Sequence, residues 1–485
     1  MYNPVKLKYN KEVLNNTVKR CRERNILIPT FKQLENPDLI PEKIKAKLPE
    51  VGLWDVDPIN LFRISWKNDI KTGLFGDVNY MEFPKEITGV KARVIGLVGK
   101  YFPTGAHKVG AAFGCLVPRL ITGEFDPSTQ RAVWPSTGNY CRGGAFDCAL
   151  LACTPVAILP EEMSQERFNW LREIGSEVIA TPGSESNVKE IYDKCWEIRK
   201  TDPKAVIFNQ FDEFGNAIFH HEVTGSAMLE LYNLVKKPNS RLAAYVSATG
   251  SAGTIAAGDR LKKSFPNMKI VATEALQCPT ILRNGFGAHR IEGIGDKHVP
   301  WVHNTRNTDV ITAIDDEDTM RLLRLFNEDA GKAYLRECGV SEEVVSKLEL
   351  LGISSICNVL SAIKTAKYYE MTEDDVIITV LTDSAEMYGS RLVELNENHG
   401  PFKNSDAIIT YEGSLMKQAM DNMRELSYWD RKAVHNLKYF TWIEQQGKDI
   451  TELNTLWHPE FWDEIFSVVP EWDKAIEEFN ALTGL

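Results

Sequence analysis

The sequence lacks the long apolar segments of a membrane protein. No run of about 18 or more apolar residues, the length that suggests a spanning helix, occurs in its 485 residues, and 25% of the residues are charged. The N-terminal segment, MYNPVKLKYNKEVLNNTVKRCRERN, is basic and polar and has no apolar stretch of the kind found in secretory signals. We therefore expect a cytoplasmic protein that has no membrane partner.

Excess positive charge and closely paired cysteines are also missing. The chain has 56 Lys and Arg against 67 Asp and Glu, a net charge of -11 that disfavours binding to the phosphate backbone of nucleic acids. Its nine cysteines include no Cys-x-x-Cys pair, the spacing typical of zinc and redox sites, so we expect reduced and mostly buried thiols. His220 and His221 are adjacent and should point apart, and no metal site is expected.

The chain from residue 92 to residue 383 alternates short β-branched runs with helical stretches. Such repeated alternation of strand and helix predicts an α/β fold with mostly parallel sheets covered on both faces. The predicted strands cover residues 92–98, 155–159, 177–181, 205–210, 241–248, 269–275, 310–314 and 376–382.

Two flanks depart from this pattern. Residues 1–90 hold few strand-like runs and are predicted to form an irregular extension. Residues 393–485 are predicted to be helical and carry five of the eleven Trp residues. Trp in such number indicates surface that is buried against something, either the core of this chain or a partner subunit.

Two short segments suggest a nucleophile and an anion site. Lys108 follows a glycine-containing turn and opens an apolar helix, where desolvation would lower the pKa of its amine and suit it to Schiff-base chemistry. The run Ser-Thr-Gly-Asn at 136–139 precedes a helix, whose free N–H groups can bind a carboxylate. Taken alone, each segment also fits a structural role, a lysine extending from a helix end or a simple helix cap.

Two further segments suggest a phosphate site and a polar strand end. The run SATGSAGT at 247–254 follows a predicted strand and precedes a helix, so backbone amides and hydroxyls can surround a phosphate. It lacks the Gly-Lys-Ser/Thr of nucleoside-triphosphate loops, which implies a phosphate smaller than ATP. Residues 382–388 follow the last predicted strand, where ligands of open α/β sheets collect. Together the four segments suit an aldehyde cofactor that carries a phosphate and a pyridine ring.

These segments resemble the fold-type-II pyridoxal-phosphate enzymes, specifically the cysteine synthase and cystathionine β-synthase family. The resemblance covers about residues 92–392 and includes PTGAHK (103–108), STGN (136–139), the segment NQF...N...HHEVTG (209–225), the glycine-rich loop at 247–254, HRIEGIG (289–295), GISS (352–355) and LTDSAEMYGS (381–390). The TGAHK run is closer to the tryptophan synthase β chain. The resemblance implies two open, mostly parallel twisted sheets with helices on both faces, plus N- and C-terminal extensions. Its expected units are residues 1–90, a smaller substrate-binding domain with the Schiff-base lysine at 91–212, a larger phosphate-binding domain at 213–392 and a C-terminal extension at 393–485.

The resemblance also implies roles for individual residues. Lys108 would be the catalytic residue that condenses with pyridoxal 5'-phosphate, and Asn139 would bind the ring hydroxyl. The remaining implied contacts are Thr249, Gly250, Ser251, Gly253 and Thr254 with the phosphate, and Ser136, Thr137, Gly138 and Gln210 with the substrate carboxylate. Ser384 is expected to face the pyridine nitrogen as a second catalytic residue, and Asp383 is the alternative, because successive side chains leaving a strand face opposite sides.

The implied activity is that of a lyase or transferase. It would perform β-replacement or β-elimination on serine, cysteine or an activated serine through an aminoacrylate intermediate. A thiol is one candidate second substrate, and a homodimer is expected. Two alternatives stay open: a serine/threonine dehydratase, deaminating lyase or isomerase of the same fold, or a subunit of a complex docked through its C-terminal tail.

Overall fold

Two β-sheets frame the protein, and the computed structural model describes residues 2–485. The strands are β1 Tyr80–Phe83, β2 Arg93–Val98, β3 Arg131–Pro135, β4 Thr154–Pro160, β5 Glu177–Thr181, β6 Ala205–Ile207, β7 Arg241–Ala248, β8 Lys269–Ala275, β9 Val310–Ile314, β10 Asp375–Leu381 and β11 Met423–Glu425. The larger sheet has seven strands in the order β1-β2-β10-β7-β8-β9-β11, and the smaller has four in the order β5-β4-β3-β6.

Most strand pairs are parallel. The two edge strands of the larger sheet, β1 and β11, are antiparallel to their neighbours β2 and β9, and the other pairs of both sheets are parallel. Every residue of β9 and of β10 is buried, as expected for parallel strands that helices cover on both faces. The predicted α/β class with mostly parallel sheets is confirmed.

Helices surround both sheets and form the two extensions. The longer α-helices are Lys11–Glu23, Lys108–Leu120, Asn139–Leu150, Gln165–Glu173, Val188–Thr201, Gly225–Val235, Ile255–Ser264, Asp316–Asn327, Asp329–Glu337, Ile353–Tyr368, Gly389–His399, Tyr428–Lys438, Pro459–Phe466 and Val469–Thr483. The shorter ones are Phe31–Glu35, Glu42–Lys45, Lys85–Thr88, Phe214–Phe219, Thr280–Arg283, Glu342–Lys347, Asn404–Thr410 and Ile450–Thr455. Within residues 2–485, none of the helices has both the length and the apolar character that crossing a bilayer requires.

The strand predictions are confirmed to different degrees. The predicted strands 177–181, 241–248, 269–275 and 310–314 match β5, β7, β8 and β9 residue for residue. The last predicted strand is shifted by one residue, and β6 ends at Ile207 rather than at 210. The sequence pattern misses β1, β3 and β11. β3 contains a single β-branched residue and ends in proline, while β1 and β11 are edge strands of four and three residues.

The first strand of the α/β region lies in the larger sheet. β2 was expected within the 91–212 domain, but it pairs in parallel with β10 and antiparallel with β1, because its nearly continuous apolar run suits a strand buried on both faces. The smaller sheet is built only from β3, β4, β5 and β6, all inside 91–212. The division of the chain at residue 212 stays a prediction.

The C-terminal extension packs against its own chain. Trp442 is fully buried and donates from Nε1 to the carbonyl of Val299, 2.9 Å away. Trp472 packs against Phe31 of the N-terminal extension, with ring centroids 5.7 Å apart. Trp457 and Trp462 are also buried, while Trp429 is 76% exposed. Four of the five Trp side chains of this extension are therefore covered without a partner subunit.

Candidate active site

A cavity lies beside the carboxyl ends of β3, β7 and β10. This edge of an α/β sheet is the usual place for a small-molecule ligand. The residues that line it are His107, Lys108, Ser136, Thr137, Asn139, Tyr140, Gln210, Phe211, Ser247, Ala248, Gly250, Ser251, Ala252, Thr254, Gly293, Ile294, Asp296, Ser354, Asn358, Val380 and Thr382. The cavity therefore lies between the two sheets.

Lys108 is the first residue of the helix Lys108–Leu120 and extends its amine into this cavity. Its Nζ donates to Ser251 Oγ at 2.9 Å and to Gln210 Oε1 at 3.2 Å. Burial lowers the pKa of the Lys108 amine to about 8, with Asp296 the strongest opposing influence. A lowered pKa leaves part of the amine uncharged near neutral pH, which an attack on an aldehyde requires.

The glycine-rich loop connects β7 to the helix Ile255–Ser264. A side chain at Gly250 would collide with the carbonyl of Gly293, and one at Gly253 would collide with Asn216. Asn216 Nδ2 in turn donates to Ser251 Oγ at 2.9 Å. At these two positions the loop therefore has room for backbone only, and its amides together with the helix N-terminus suit a phosphate.

The loop after β3 leads into the helix Asn139–Leu150. Gly138 has a φ of 151°, and a side chain there would overlap Arg167. The Gly138 N–H donates to Ser136 Oγ at 3.0 Å, and Arg167 donates from Nη1 to the carbonyl of Thr137 at 2.9 Å. Buried hydroxyls and a helix N-terminus thus face the same cavity as the Lys108 amine, an arrangement that can hold a carboxylate.

The segment after β10 contains a buried acid. Asp383 Oδ2 accepts hydrogen bonds from Asn139 Nδ2 at 2.7 Å and from the Tyr388 hydroxyl at 2.8 Å. Burial raises the pKa of Asp383, and Arg167 is the main influence that opposes this. Thr382 lines the cavity, whereas Asp383 and Ser384, both buried, are not among its lining residues.

An uncharged histidine, His107, lies beside Thr382 in the lining of the cavity. The Nε2 atom of His107 is 3.3 Å from Thr382 Oγ1, and its other ring nitrogen is buried with no hydrogen-bond partner. Burial, with a further contribution from Lys108, lowers the pKa of His107 to about 3, so this imidazole is uncharged at neutral pH.

An ion-pair network lies next to the 136–138 loop. Arg167 and Glu292 are both fully buried, and Arg167 Nη1 lies 2.8 Å from Glu292 Oε2. The other oxygen of Glu292 pairs with Arg391 Nε at 2.7 Å. Burial alone would lower the pKa of Arg167, but Glu292 and other nearby acids outweigh it and keep the guanidinium charged. The network fixes the residues that surround Gly138 and Asp383.

The structure brings most of the predicted site residues to one place. Those that line the cavity are Lys108, Ser136, Thr137, Asn139, Gln210, Gly250, Ser251 and Thr254. Gly138 and Gly253 shape the two loops by leaving room for neighbours. The Thr249 hydroxyl donates to the carbonyl of Thr273 at 2.9 Å, and so holds the loop to β8. Ser384 lies outside the lining. The roles assigned to all these residues stay predictions.

Sequence reasoning misses several lining residues. Asp296 immediately follows the matched run HRIEGIG, and Thr382 immediately precedes Asp383 and Ser384, the two residues expected near the pyridine nitrogen. Asn358 bridges two strands: it accepts from the Ala248 N–H and donates to the Val380 carbonyl, both at 2.8 Å. The available signal for Asp296 is its place directly after the last glycine of a matched motif. No local signal marks Asn358, which lies within a helix far along the chain.

The sequence and the site define an enzyme class. The family described as "Pyridoxal-phosphate dependent enzyme" matches residues 100–383, more than half of the chain. The chain belongs to this family, and pyridoxal 5'-phosphate is its cofactor. The site fits this group: a buried amine reaches the glycine-rich loop, side chains are sterically excluded from Gly250 and Gly253, and a hydroxyl stands at the opposite strand end.

Two curated relatives and one solved structure show which individual proteins this chain is similar to. A cysteine synthase of Staphylococcus aureus (strain Mu50 / ATCC 700699) is 29% identical over 291 residues, which cover 59% of this chain and 84% of the relative. A cystathionine β-synthase of Saccharomyces cerevisiae is 27% identical over 325 residues, 64% of this chain and 60% of the relative. A solved hydrogen sulfide-producing enzyme from Fusobacterium nucleatum has a TM-score of 0.54 at 25% identity and covers 69% of this chain and 92% of its own.

Proposed function

We propose that this enzyme performs β-replacement or β-elimination on a small amino acid. The observation that carries the proposal is that the Lys108 amine, the 136–138 loop and the 250–254 loop meet in one cavity. A cofactor phosphate in the glycine-rich loop and a cofactor aldehyde at Lys108 leave the 136–138 loop for the carboxylate of the amino acid. The similarity to a cysteine synthase and to a cystathionine β-synthase supports this type of reaction.

The residues of the cavity have different roles in this proposal. Ser136 and Thr137, with Gln210, bind the substrate carboxylate and so orient the Cα–H bond. The freed Nζ of Lys108 takes the α-proton, since its lowered pKa suits a base near neutral pH. When bound, the cofactor ring supplies the electron sink for this step. Asn139, whose Nδ2 donates to Asp383, is the residue that we propose binds the ring hydroxyl.

The finer properties implied by the family resemblance belong to the same proposal. These are a homodimer, a thiol as second substrate and a cytoplasmic location. The nine free thiols, eight of them buried, suit a reducing compartment. Light scattering of the purified holoenzyme gives the oligomeric state directly.

The Lys108→Ala variant tests the proposal. Wild-type holoenzyme should absorb in the visible region, lose this absorbance on borohydride reduction, and release pyruvate and ammonia from serine or cysteine, or form a new amino acid when a thiol is added. The variant should lack covalent cofactor and lose more than about 1,000-fold in turnover, because both the Schiff base and the proton acceptor are removed.

Lys364→Ala is the matched control, because Lys364 is also buried but bonds to residues 419 and 421 away from the cavity. It should keep covalent cofactor. Covalently bound cofactor in the Lys108→Ala variant would show that the lysine is misassigned. A wild-type holoenzyme that performs no chemistry at the β-carbon of any small amino acid would refute the function.

A further inference from the structure

Asp296 is a buried acid with no assigned task. Among the residues that line the cavity it is the single carboxylate, and it is 6% exposed. Its Oδ2 atom is buried without a hydrogen-bond partner, and no cation of the described residues forms an ion pair with it. A carboxylate without a partner in such a place is costly to keep, which points to a partner brought by the substrate.

The backbone of Asp296 is held firmly although its side chain is not. The Thr280 hydroxyl donates to the Asp296 carbonyl at 2.8 Å. The N–H of the preceding residue, Gly295, donates to the carbonyl of Thr249 at 3.0 Å. The turn that carries Asp296 is therefore tied to the glycine-rich loop, so the backbone of Asp296 keeps a fixed position relative to a cofactor bound there.

Several ionisable groups surround this carboxyl group. The Lys108 amine attracts the negative charge of Asp296. The other titratable groups that interact with the Asp296 carboxyl are Glu185, Tyr192 and Cys278. Burial raises the pKa of Asp296 to about 7, and Lys108 opposes this rise. Both protonated and ionised forms are thus available near neutral pH, as proton transfer requires.

The other parts of the cavity limit what Asp296 can contact. The cofactor phosphate and the substrate carboxylate are anions, and an additional carboxylate would repel both. The α-proton is assigned to Lys108. The remaining reactive position of a small amino acid is the substituent on its β-carbon, together with the nucleophile that replaces it.

We propose that Asp296 is a catalytic residue that exchanges a proton with the β-substituent, and that the substrates are amino acids with a free β-hydroxyl or β-thiol group. This inference rests on the function proposed above and names its substrate class. As the Cβ–O or Cβ–S bond breaks, its electron pair leaves with the heteroatom, and the proton of Asp296 moves to that atom to give water or hydrogen sulfide. The electron pair of the former Cα–H bond closes the bond between Cα and Cβ.

The second half of a replacement runs in the opposite sense. The incoming nucleophile forms its bond to Cβ and gives its proton to the Asp296 carboxylate, so the residue returns to its starting form. An esterified β-oxygen leaves as a stable anion and needs no such proton. A phosphorylated one would also bring negative charge towards Asp296, which disfavours its binding.

The Asp296→Asn variant keeps the shape of the side chain but cannot exchange the proton. With serine or cysteine as substrate we expect turnover to fall about 100-fold or more. With β-chloroalanine, whose chloride leaves without a proton, we expect a change of less than about 3-fold. Asp259→Asn is the matched control, because Asp259 is equally buried but is bonded to Asn304 and Asn307 outside this cavity. The control should change neither rate.

A second measurement does not depend on turnover. The pH midpoint at which cofactor-free protein condenses with pyridoxal phosphate follows the pKa of Lys108, which the charge of Asp296 raises. The Asn variant should therefore have a lower midpoint, read from the visible absorbance, while the Asp259→Asn control keeps the wild-type value. Melting temperature checks that each variant is folded, and Asp296→Ser replaces the Asn variant if the latter does not fold.

The outcomes separate this inference from the function on which it rests. Equal loss with serine and β-chloroalanine, or no loss with either, overturns the role of Asp296 while β-chemistry itself stands. A wild-type enzyme that acts on esterified serine but not on serine or cysteine overturns the substrate class. Wild-type protein that acts on none of these compounds, β-chloroalanine included, refutes the proposed function instead.

Discussion

The two ends of the active-site cavity are built in different ways. The end proposed to hold the phosphate consists of six consecutive residues, 249–254, which offer backbone amides and short hydroxyls. The opposite end depends on side chains from distant segments: Asn139 bonds Asp383 across 244 residues, and Arg167 bonds Tyr388 across 221 residues. The 249–254 loop forms from small residues in the right order. The opposite end forms only when buried charged groups from distant segments compensate one another.

This contrast has an energetic side. Removing one member of a buried ion pair leaves an uncompensated charge in a dry environment, which costs about 3–5 kcal/mol. Disturbing a backbone loop costs the hydrogen bonds that it loses, about 1–3 kcal/mol for each group left unsatisfied. Variants at the two ends should therefore differ both in size of effect and in the property that changes, stability at one end and cofactor affinity at the other.

The largest effect is expected for Arg167→Met. Glu292 would keep only Arg391 as a cationic partner, and the Tyr388 hydroxyl would lose its contact with the guanidinium. We expect the free energy of unfolding to fall by about 3–5 kcal/mol, measured by urea denaturation with added cofactor. Lys189→Met, which removes an exposed pair with Asp193, should leave the unfolding curve unchanged. A loss no greater than that of this control would mean that the buried network does not stabilise its end of the cavity.

An intermediate effect is expected for Gly253→Ala. The added methyl group would displace Asn216, whose amide donates to Ser251 Oγ and to the Gln210 carbonyl, both at 2.9 Å. Loss of about 1–3 kcal/mol of hydrogen bonding predicts cofactor binding that is about 5- to 150-fold weaker, measured by titrating cofactor-free protein. Gly413→Ala serves as control, since a side chain there meets nothing within 4 Å. Equal cofactor affinity in the two variants would show that the loop tolerates a side chain.

The same contrast explains how far the sequence alone could lead. The glycine-rich loop, the lysine turn and the 136–139 run are local signals, because the residues that cooperate are neighbours in the chain. The α/β class follows from similar local periodicity. β3 was not predicted, since Arg-Ala-Val-Trp-Pro has little β-branched character and becomes a strand through its pairing with β4 and β6.

The charged end shows where local reasoning stops. Nothing near Asp383 in the chain indicates that Asn139 and the Arg167–Glu292 pair lie close to it, because those contacts join segments that are distant in the sequence. Local reasoning also cannot decide which of the three residues after β10 faces the pyridine nitrogen. Alternation along a strand puts Asp383 and Ser384 on opposite sides, but the strand ends at Leu381, so strict alternation no longer applies.

The smallest effect is expected at these strand-end residues, and a pair of variants decides between them. Thr382 lines the cavity and lies 3.3 Å from His107, whereas Ser384 is buried outside the lining. Thr382→Val should therefore shift the visible maximum of the bound cofactor and lower kcat/KM by about 2- to 12-fold, the value of one hydrogen bond of about 0.5–1.5 kcal/mol. Ser384→Ala should leave the spectrum unchanged. The opposite result, a shift with Ser384→Ala and none with Thr382→Val, would place Ser384 at the pyridine nitrogen, as the family resemblance implies.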